Sequence, residues 1–563
     1  MKNKKVVIFL SSIVVLIGGI LFANQIYNKS KNKNIPKKNN LAIMVKGESG
    51  DYISSDAIPK GNYVLNEEKT ICENNGKVLN YDNTLGKVSF SFIGSDRCSL
   101  YFDKIIDTEK PVISNLSVND TTVTATLTDN ESLSGYGIST SNSTEPTSWT
   151  TISGKTYNLS TTIRTEGTYY LWVKDSAGNI SISISIEISL YGWETILINN
   201  GNGATTTDGA ISYIKGKGTP NFSTIATSNM GMYAAADDLG TSYYFRGAVD
   251  NNWVKYGKYT KDMYNCNNGT MSATDTGNSC TKIASNGDDI YWRIIRINGD
   301  NSIRMIYAGT YAPDANTKVT LTESGNFDDD GNLIGGQKTA VGNSKFNQNY
   351  DSAEYVGYMY TIGEQHGTSQ SSDIKTYLDN WYANYTDLNK TGTKITDQIF
   401  CNDRTASTSD VVYSITNYTT LTSWNSTGTV YYYGAYGRIY KDNNPMLTCA
   451  VDSDRFTVNK IKGKGNSSLT YPIGLITIDE LEMAGNNWSE SNTSYYLHTG
   501  EFYWAGSPDR FRRGYSYEFR VFDDGRLLFD YVSYDYRARG VVSLSSESKL
   551  LGSGTYNDVY RVN

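Results

Sequence analysis

The chain has 563 residues, 19% of them charged, and a formal net charge of −7. That balance excludes a general nucleic-acid binder, which would carry a basic stripe or patch. Nine Pro, two His and 45 Tyr, among abundant Asn, Ser, Thr and Gly, describe a mostly β protein that meets water with neutral polar groups.

Read from the N-terminus, MKNKK is followed by VVIFLSSIVVLIGGILFA, an uncharged run over residues 6–23. As a helix rising 1.5 Å per residue it spans roughly 27 Å, close to the ~30 Å of a bilayer core. A signal peptide usually has a shorter apolar stretch and a small-x-small cleavage site, of which Leu21-Phe22-Ala23 is a poor version. Residues 1–27 are therefore expected to be a retained single-pass membrane anchor, with the bulk of the chain extracellular. NKSKNKNIPKKNN, residues 28–40, reads as a basic polar linker.

Residues 41–106 form a small β unit with runs such as Lys87-Val88-Ser89-Phe90-Ser91-Phe92. Cysteine usage agrees with export: the six Cys fall by sequence into local pairs, Cys72 with Cys98, Cys266 with Cys280 and Cys401 with Cys449, and none forms CxxC. Two His cannot complete a zinc-finger pattern, so three disulfides are expected. At Asp107 the texture changes. VISNLSV, VTATL and GTYYLWVKDSAGNISISISIEI alternate as strands around a Ser-Ala-Gly-Asn turn, which predicts a β-sandwich over 107–190. The YYLWVKDSAGN phrase resembles bacterial immunoglobulin-like and fibronectin-like surface repeats, which implies a spacer.

Residues 191–563 predict an α+β domain with few helices, many short strands and long loops. Helices are expected at Thr206 to Ile214, in SSDIKTYLDNWYANY with Ile374, Tyr377, Leu378 and Trp381 at helical spacing, and at Thr477 to Ala484. DIYWRIIRI and SIRMIYAG read as strands. The fold class is thus mostly β with an α+β C-terminal domain.

Chemistry is sparse. No HExxH, GxSxG, Walker loop or dinucleotide fingerprint occurs. His366 and His498 are far apart in sequence and read as loop histidines, and no carboxylate pair is singled out by spacing. NFDDDGNLIGGQ sets Asn326, Asp328 and Asp330 at alternate positions before Gly331, as Ca²⁺ loops do, but the twelfth position is Gln337 rather than a bidentate Glu. A solvated acidic hairpin tip is the preferred reading, and no cofactor or enzyme activity is expected.

YWAGSPDRFRRGYSYEFRVFDDGRLLFDYVSYDYRARGVVSL, residues 503–544, has a different alphabet: no Asn and no Lys, but crowded Tyr, Phe, Asp and Arg. Tyr offers large contact area for few rotatable bonds, and Arg adds directional charge, the pairing that paratopes and hot spots use. Adjacent charges at Arg512-Arg513 and Asp523-Asp524 cannot both point inward on a pleated strand, which predicts a displayed surface. The plainer alternative is a Tyr-rich hairpin whose rings only pack the domain.

DLGTSYYFRGAVDNNWVKYG, DIYWRIIRINGDNSIRMIYAG, FYWAGSP and GVVSLSSESKLLGSGTY resemble, in that order, exported proteins of gut Firmicutes and their relatives. The resemblance implies a C-terminal domain of the C-type-lectin-like fold, in the variant shared with formylglycine-generating enzymes. That fold also carries the variable proteins of diversity-generating retroelements, where template adenines are mutated before the copy replaces a C-terminal repeat. Rewritten Asn codons yield Tyr, Phe, Asp, Ser, Arg, Gly, Leu and Val but not Lys, Gln, Glu, Met or Trp. Between Asp509 and Arg537 only Glu518 lies outside that set.

By the resemblance, Tyr503, Trp504, Ser507, Pro508, Gly525, Val532 and Val541-Val542-Ser543-Leu544 are a fixed frame. The variable segment 509–537 then supplies the ligand-binding residues. They are Asp509, Arg510, Arg512, Arg513, Tyr515, Tyr517, Phe519, Phe522, Asp523, Asp524, Arg526, Phe529, Asp530, Tyr531, Tyr534, Asp535 and Tyr536. Ala538-Arg539-Gly540 departs from the family's Val-Arg-Pro, and no Cys follows Cys449, so formylglycine-generating activity does not carry over. The expected partners are an extracellular protein or glycan, with no nucleic acid bound. The rival functions are a fixed-specificity adhesin or lectin and, from another class, a cell-wall glycan hydrolase.

Overall fold

The structure is a computed structural model. It describes residues 40–563 except 48, 94–95, 120, 267–268, 277–279, 321–325, 328–332, 335–338 and 409–429. The expected membrane helix lies outside the described residues, and among those described no helix is long and apolar enough to cross a membrane. The Asn326, Asp328 and Asp330 candidate also falls outside, apart from the backbone of a two-residue strand at Asn326–Phe327.

The described residues divide into two compact units. One takes those up to Leu116 with Ala125–Leu159 and Tyr170–Ile184; the other takes Ser117–Thr124, Ser160–Tyr169 and Ser185–Asn563.

In the first unit, strands Asn40–Lys46 and Arg97–Lys104 run parallel at the centre of a five-stranded sheet. Alternate residues of the second strand, Cys98, Leu100 and Phe102, are buried with Ile43 as a small core. Cys72 and Cys98 face each other across neighbouring strands and are disulfide-bonded. Among the described residues from Val112 to Ile188, a stretch shared between the two units, eight strands form one sheet of three and one of five. Buried alternation in Thr122–Thr128 (Val123, Ala125, Leu127) gives each strand of this kind one apolar face.

The second unit carries the large core. Among its strands are β1 (Asn229–Ala236), β2 (Thr241–Gly247), β3 (Trp253–Lys258), β4 (Asp289–Ile297), β5 (Ile303–Gly309), β6 (Asn343–Lys345), β7 (Val430–Tyr432), β8 (Tyr503–Arg512), β9 (Tyr515–Val521), β10 (Leu527–Tyr531), β11 (Asp535–Arg537) and β12 (Val541–Leu544). The central nine-stranded sheet runs β12–β5–β4–β3 through its middle, with β2 also against β4 and β1 against β2. β4 and β5 are buried along nearly all of their length, which is why both read as continuous apolar runs broken by arginines.

Among the described residues, the α-helices of six residues or more in this unit are α1 (Gly192–Asn199), α2 (Thr207–Gly216), α3 (Asp373–Tyr385) and α4 (Ile478–Met483). The last three match the expected helices, shifted by a residue or two. Each begins at a side-chain cap: Thr206 Oγ1, Ser372 Oγ and Thr477 Oγ1 accept from the N–H groups of Gly209, Lys375 and Glu480. α3 drives Trp381 into the core, edge-on to Tyr307 of β5 at 5.4 Å between ring centroids. The remaining disulfides, Cys266–Cys280 and Cys401–Cys449, form as expected.

The arginines of β4 and β5 do not leave the core. Arg296 and Arg304 both ion-pair with Glu480, at 2.8 and 2.7 Å, and Arg296 also reaches Asp237 at 2.8 Å. Burial pushes the Glu480 carboxyl up, but the two guanidiniums more than offset it and hold it below its ordinary value. Glu480 thereby caps α4 and ties that helix to both central strands.

A candidate ligand-binding face on the C-terminal sheet

The 503–537 segment folds as β8–β9–β10 and β11, in a six-stranded sheet ordered β6–β11–β8–β9–β10 with β7 also against β8. It is held to the core by the residues the resemblance assigns to a frame. Tyr503, Trp504, Val532, Val541, Val542 and Leu544 are all fully buried, and Trp504 Nε1 donates to the Ser344 carbonyl at 2.9 Å. Gly525 has φ +88° and a Cβ there would lie 2.1 Å from the Asn492 carbonyl oxygen, so only glycine fits. At Gly540 a Cβ would meet Ile473 at 3.0 Å and Trp381 at 3.3 Å; the small residue lets α3 pack close to the start of β12.

Both charged doublets prove to sit at strand ends rather than within a pleat. Arg513-Gly514 is the two-residue turn of the β8–β9 hairpin, with Arg512 paired to Tyr515 and φ values of +52° and +75°. Asp523-Asp524 turns β9 into β10, where the Asp524 carboxylate accepts from the Arg526 N–H and ion-pairs with its guanidinium at 2.8 Å. Display of these charges therefore comes from turn geometry.

Alternation splits the segment between two faces. On one face of β9 lie Tyr515, Tyr517 and Phe519, beside Tyr531 and Phe529 of β10. Their rings form a continuous strip. Tyr350 stacks on Tyr515 at 5.3 Å with planes 7° apart; Tyr515 meets Tyr531 at 5.0 Å, Tyr531 meets Tyr517 at 4.6 Å, and Tyr517 meets Phe529 at 5.7 Å. The strip continues from Phe529 and Phe519 to Tyr440, then to Trp488, Tyr436 and Tyr432. Tyr350, Tyr515 and Tyr534 are about two-fifths to half exposed, at 40%, 41% and 49%.

At the exposed end, Tyr350, Asp351, Arg512, Arg513, Gly514, Tyr515, Tyr517 and Tyr531 line an open pocket of about 710 Å³. That volume is in the range of small-ligand sites. Arg512 and Arg513 have no carboxylate within ion-pair distance among the described residues, so both guanidiniums remain available at its mouth. Burial, and then the neighbouring Tyr531 hydroxyl, push the Tyr517 phenol above its usual value, which keeps it a neutral hydrogen-bonding group at physiological pH.

The opposite face is closed. Ser516 donates to the Ser352 carbonyl, Glu518 is fully buried, and Arg520 ion-pairs with Asp530 at 2.9 Å while lying over Phe502, Phe522 and Tyr536. Tyr536 Oη donates to the same Asp530 carboxylate at 2.7 Å. Neither carboxylate oxygen of Glu518 has a hydrogen-bond partner. Burial, and then the charge of Asp509, hold its pKa well above the ordinary range.

The expected binding residues thus part company. Arg512, Arg513, Tyr515, Tyr517 and Tyr531 come together at the pocket, and Tyr534 lies against Tyr531 at 5.2 Å. Asp523, Asp524, Arg526 and Asp535 are at least partly exposed but do not line it. Asp509, Arg510 and Phe519 are buried: Arg510 pairs with Asp509 and lies 3.8 Å over the Phe529 ring, so these three are not displayed. Phe522, Asp530 and Tyr536 serve the closed face.

Sequence reasoning missed Tyr350, Asp351, Tyr432, Tyr436, Tyr440 and Trp488. A signal was available for three of them. VYYYGAYGRIY, residues 430–440, repeats the Tyr crowding and sets Tyr432, Tyr436 and Tyr440 four apart; they lie on β7, the turn Gly434–Tyr436 and a π-helix over Gly437–Asp442. The two histidines are structural: His366 Nδ1 is 3.0 Å from Asp454, and His498 Nε2 is 2.8 Å from the Asp523 carbonyl, with burial holding His498 below its usual pKa.

No protein-family model matches this chain, and no curated protein does. Among solved structures it is similar to SGBP-B of the Bacteroides ovatus mixed-linkage glucan utilization locus, solved in complex with a mixed-linkage heptasaccharide. The two are 10% identical over 58% of this chain and 73% of that one, at a TM-score of 0.10, a value that says nothing about a shared fold.

Proposed function

We propose that this chain is a cell-surface ligand-binding protein without catalytic activity, whose C-terminal domain presents the Tyr/Arg pocket at the β8–β9 turn to a protein or glycan. One observation carries the reading: an open pocket of about 710 Å³ is lined mostly by tyrosines and by two arginines that no carboxylate among the described residues ion-pairs. Rigid aromatic faces give contact area at little entropic cost, and free guanidiniums give direction, so the pocket is made for recognition. The anchor read in the sequence would keep the chain at the cell surface.

The pocket is further proposed to be diversified by a retroelement acting on the 509–537 codons. The burial of Glu518 supports this, since the one residue outside the reachable alphabet has no surface role. The test is to sequence the gene and its flanks in many sibling cells. The expected result is a nearby template copy with differences confined to adenines, falling on Arg512, Arg513, Tyr515, Tyr517 and Tyr531 and sparing Ser516 and Glu518. An invariant segment with no template copy overturns diversification and leaves an adhesin of fixed specificity.

A further inference from the structure

Outside the C-terminal sheet, one group of side chains has chemistry that the binding pocket does not use. Asp107, Asp129 and Asp175 each bring a carboxylate oxygen within 4.8 Å of the other two. They come from distant parts of the chain: Asp107 precedes the first strand of the sandwich, Asp129 follows strand Thr122–Thr128, and Asp175 ends strand Gly167–Asp175.

Three converging carboxylates repel one another unless protons or a cation intervene. Among the described residues no Lys, Arg or His lies within ion-pair distance of any of them, and their partners are all neutral. Each carboxylate is instead fixed from behind. Asp107 Oδ1 accepts from the Glu109 N–H at 3.0 Å, Asp129 Oδ1 from the N–H groups of Glu131 and Ser132 at 2.9 and 2.7 Å, and Asp175 Oδ1 from the Asn179 N–H at 2.8 Å. Asn130 and Asn179 side chains donate to Asp107 Oδ1 and Asp175 Oδ2.

Two oxygens are left over. Asp129 is only 9% exposed, yet its Oδ2 has no hydrogen-bond partner; Asp107 Oδ2 is buried and unpartnered too. A buried, unsatisfied carboxylate oxygen is costly, and two of them in one cluster of three acids call for a counter-charge. Oxygen-only ligands, oriented by an outer shell of amides, suit a hard divalent cation that tolerates irregular geometry.

We propose that Asp107, Asp129 and Asp175 bind a calcium ion at the end of the sandwich where the chain enters from the small N-terminal sheet. The site would then brace that junction. Near that junction Asn62 Nδ2 donates to the Glu131 carboxylate at 3.0 Å, and Asn179 Nδ2 donates to the Asp107 carbonyl at 3.0 Å.

The test uses the full chain, stripped with a chelator and titrated with CaCl₂ and separately with MgCl₂ by calorimetry, with thermal unfolding followed in parallel. The expected result is a calcium-specific heat, a higher unfolding midpoint with calcium, and binding at least tenfold weaker in Asp129→Asn and in Asp107→Asn. Asn keeps the size and the acceptor toward the backbone N–H groups, and circular dichroism verifies that each variant folds. No calcium response, an equal response to magnesium, or a response that survives in both variants overturns the site.

Discussion

Strand β9 carries two kinds of surface in alternate residues, and their contrast explains how one short segment can be both frame and display. Tyr515 and Tyr517 stand on the open strip; Ser516, Glu518 and Arg520 point into the closed face. Tyr515 and Tyr517 touch other rings and line the pocket, so replacing either changes the pocket and little else. A residue of the closed face is a member of a buried polar set, where loss of one partner strands the others. Period-two alternation in a sheet with one face packed is therefore enough to separate positions that can vary from positions that cannot.

The largest effect should come from breaking the closed face at Arg520. Arg520→Ala leaves Asp530 without its cation, removes the guanidinium from between Phe502, Phe522 and Tyr536, and should cost about 3 kcal/mol or more. Denaturant midpoints measure this directly. An Arg520→Ala loss no larger than that of Tyr517→Ala would remove the distinction between the two faces.

Glu518 sharpens the same contrast through pH. Its folded pKa is raised by burial and by Asp509, so the folded chain keeps a proton that the unfolded chain releases above about pH 4.3. Its contribution to stability is fully present below that pH and is lost as pH rises toward the folded pKa, at about 1.4 kcal/mol per unit within the window. Glu518→Gln keeps the shape and cannot ionise, so stability curves of the two proteins should diverge upward from pH 4 to 5, with the variant flatter. Parallel curves would mean that Glu518 is ionised and paired in the fold.

How much of this was legible in the sequence differs by scale. α2, α3 and α4 could be read because apolar spacing and Thr or Ser caps are local, and the disulfides because each pair is close in the chain. α1 could not: Gly192–Asn199 is only eight residues long and mixes polar with apolar residues, and what starts it is the Glu194 side chain reaching back to the Tyr191 N–H at 3.0 Å. The site was legible by alphabet but not by face. Composition marks 503–537 as unusual, yet which of its residues reach solvent depends on the β8–β9 register and on what covers each side. Tyr436 and Tyr440 come from a segment some 70 residues earlier whose own Tyr crowding sets it apart, and Tyr350 from still further away; the sequence does not say that either segment meets the strip.

On the open face, Tyr517→Ala should cost only about 1 kcal/mol of stability, the value of ring contacts beyond simple burial, while removing a wall of the pocket. Ligands recovered by screening the full chain should lose most of their affinity for this variant and keep it for Asp523→Ala, which lies outside the pocket. Equal losses for both would move the binding face away from the strip.

The smallest effect is the most particular. A two-residue hairpin turn with positive φ at both positions favours Asn-Gly, and here the first position is Arg513, at φ +52°. A non-Gly residue pays for the left-handed conformation, and Asn pays least among those with a side chain. Arg513→Asn should therefore stabilise the chain by a few tenths to about 1 kcal/mol while removing a guanidinium from the pocket mouth. That sign is the reverse of the one at Arg520: the frame loses stability when its arginine goes, and the display gains it. Arg513→Asn that is both less stable and still fully able to bind would show Arg513 to be structural, and the turn would then belong to the frame.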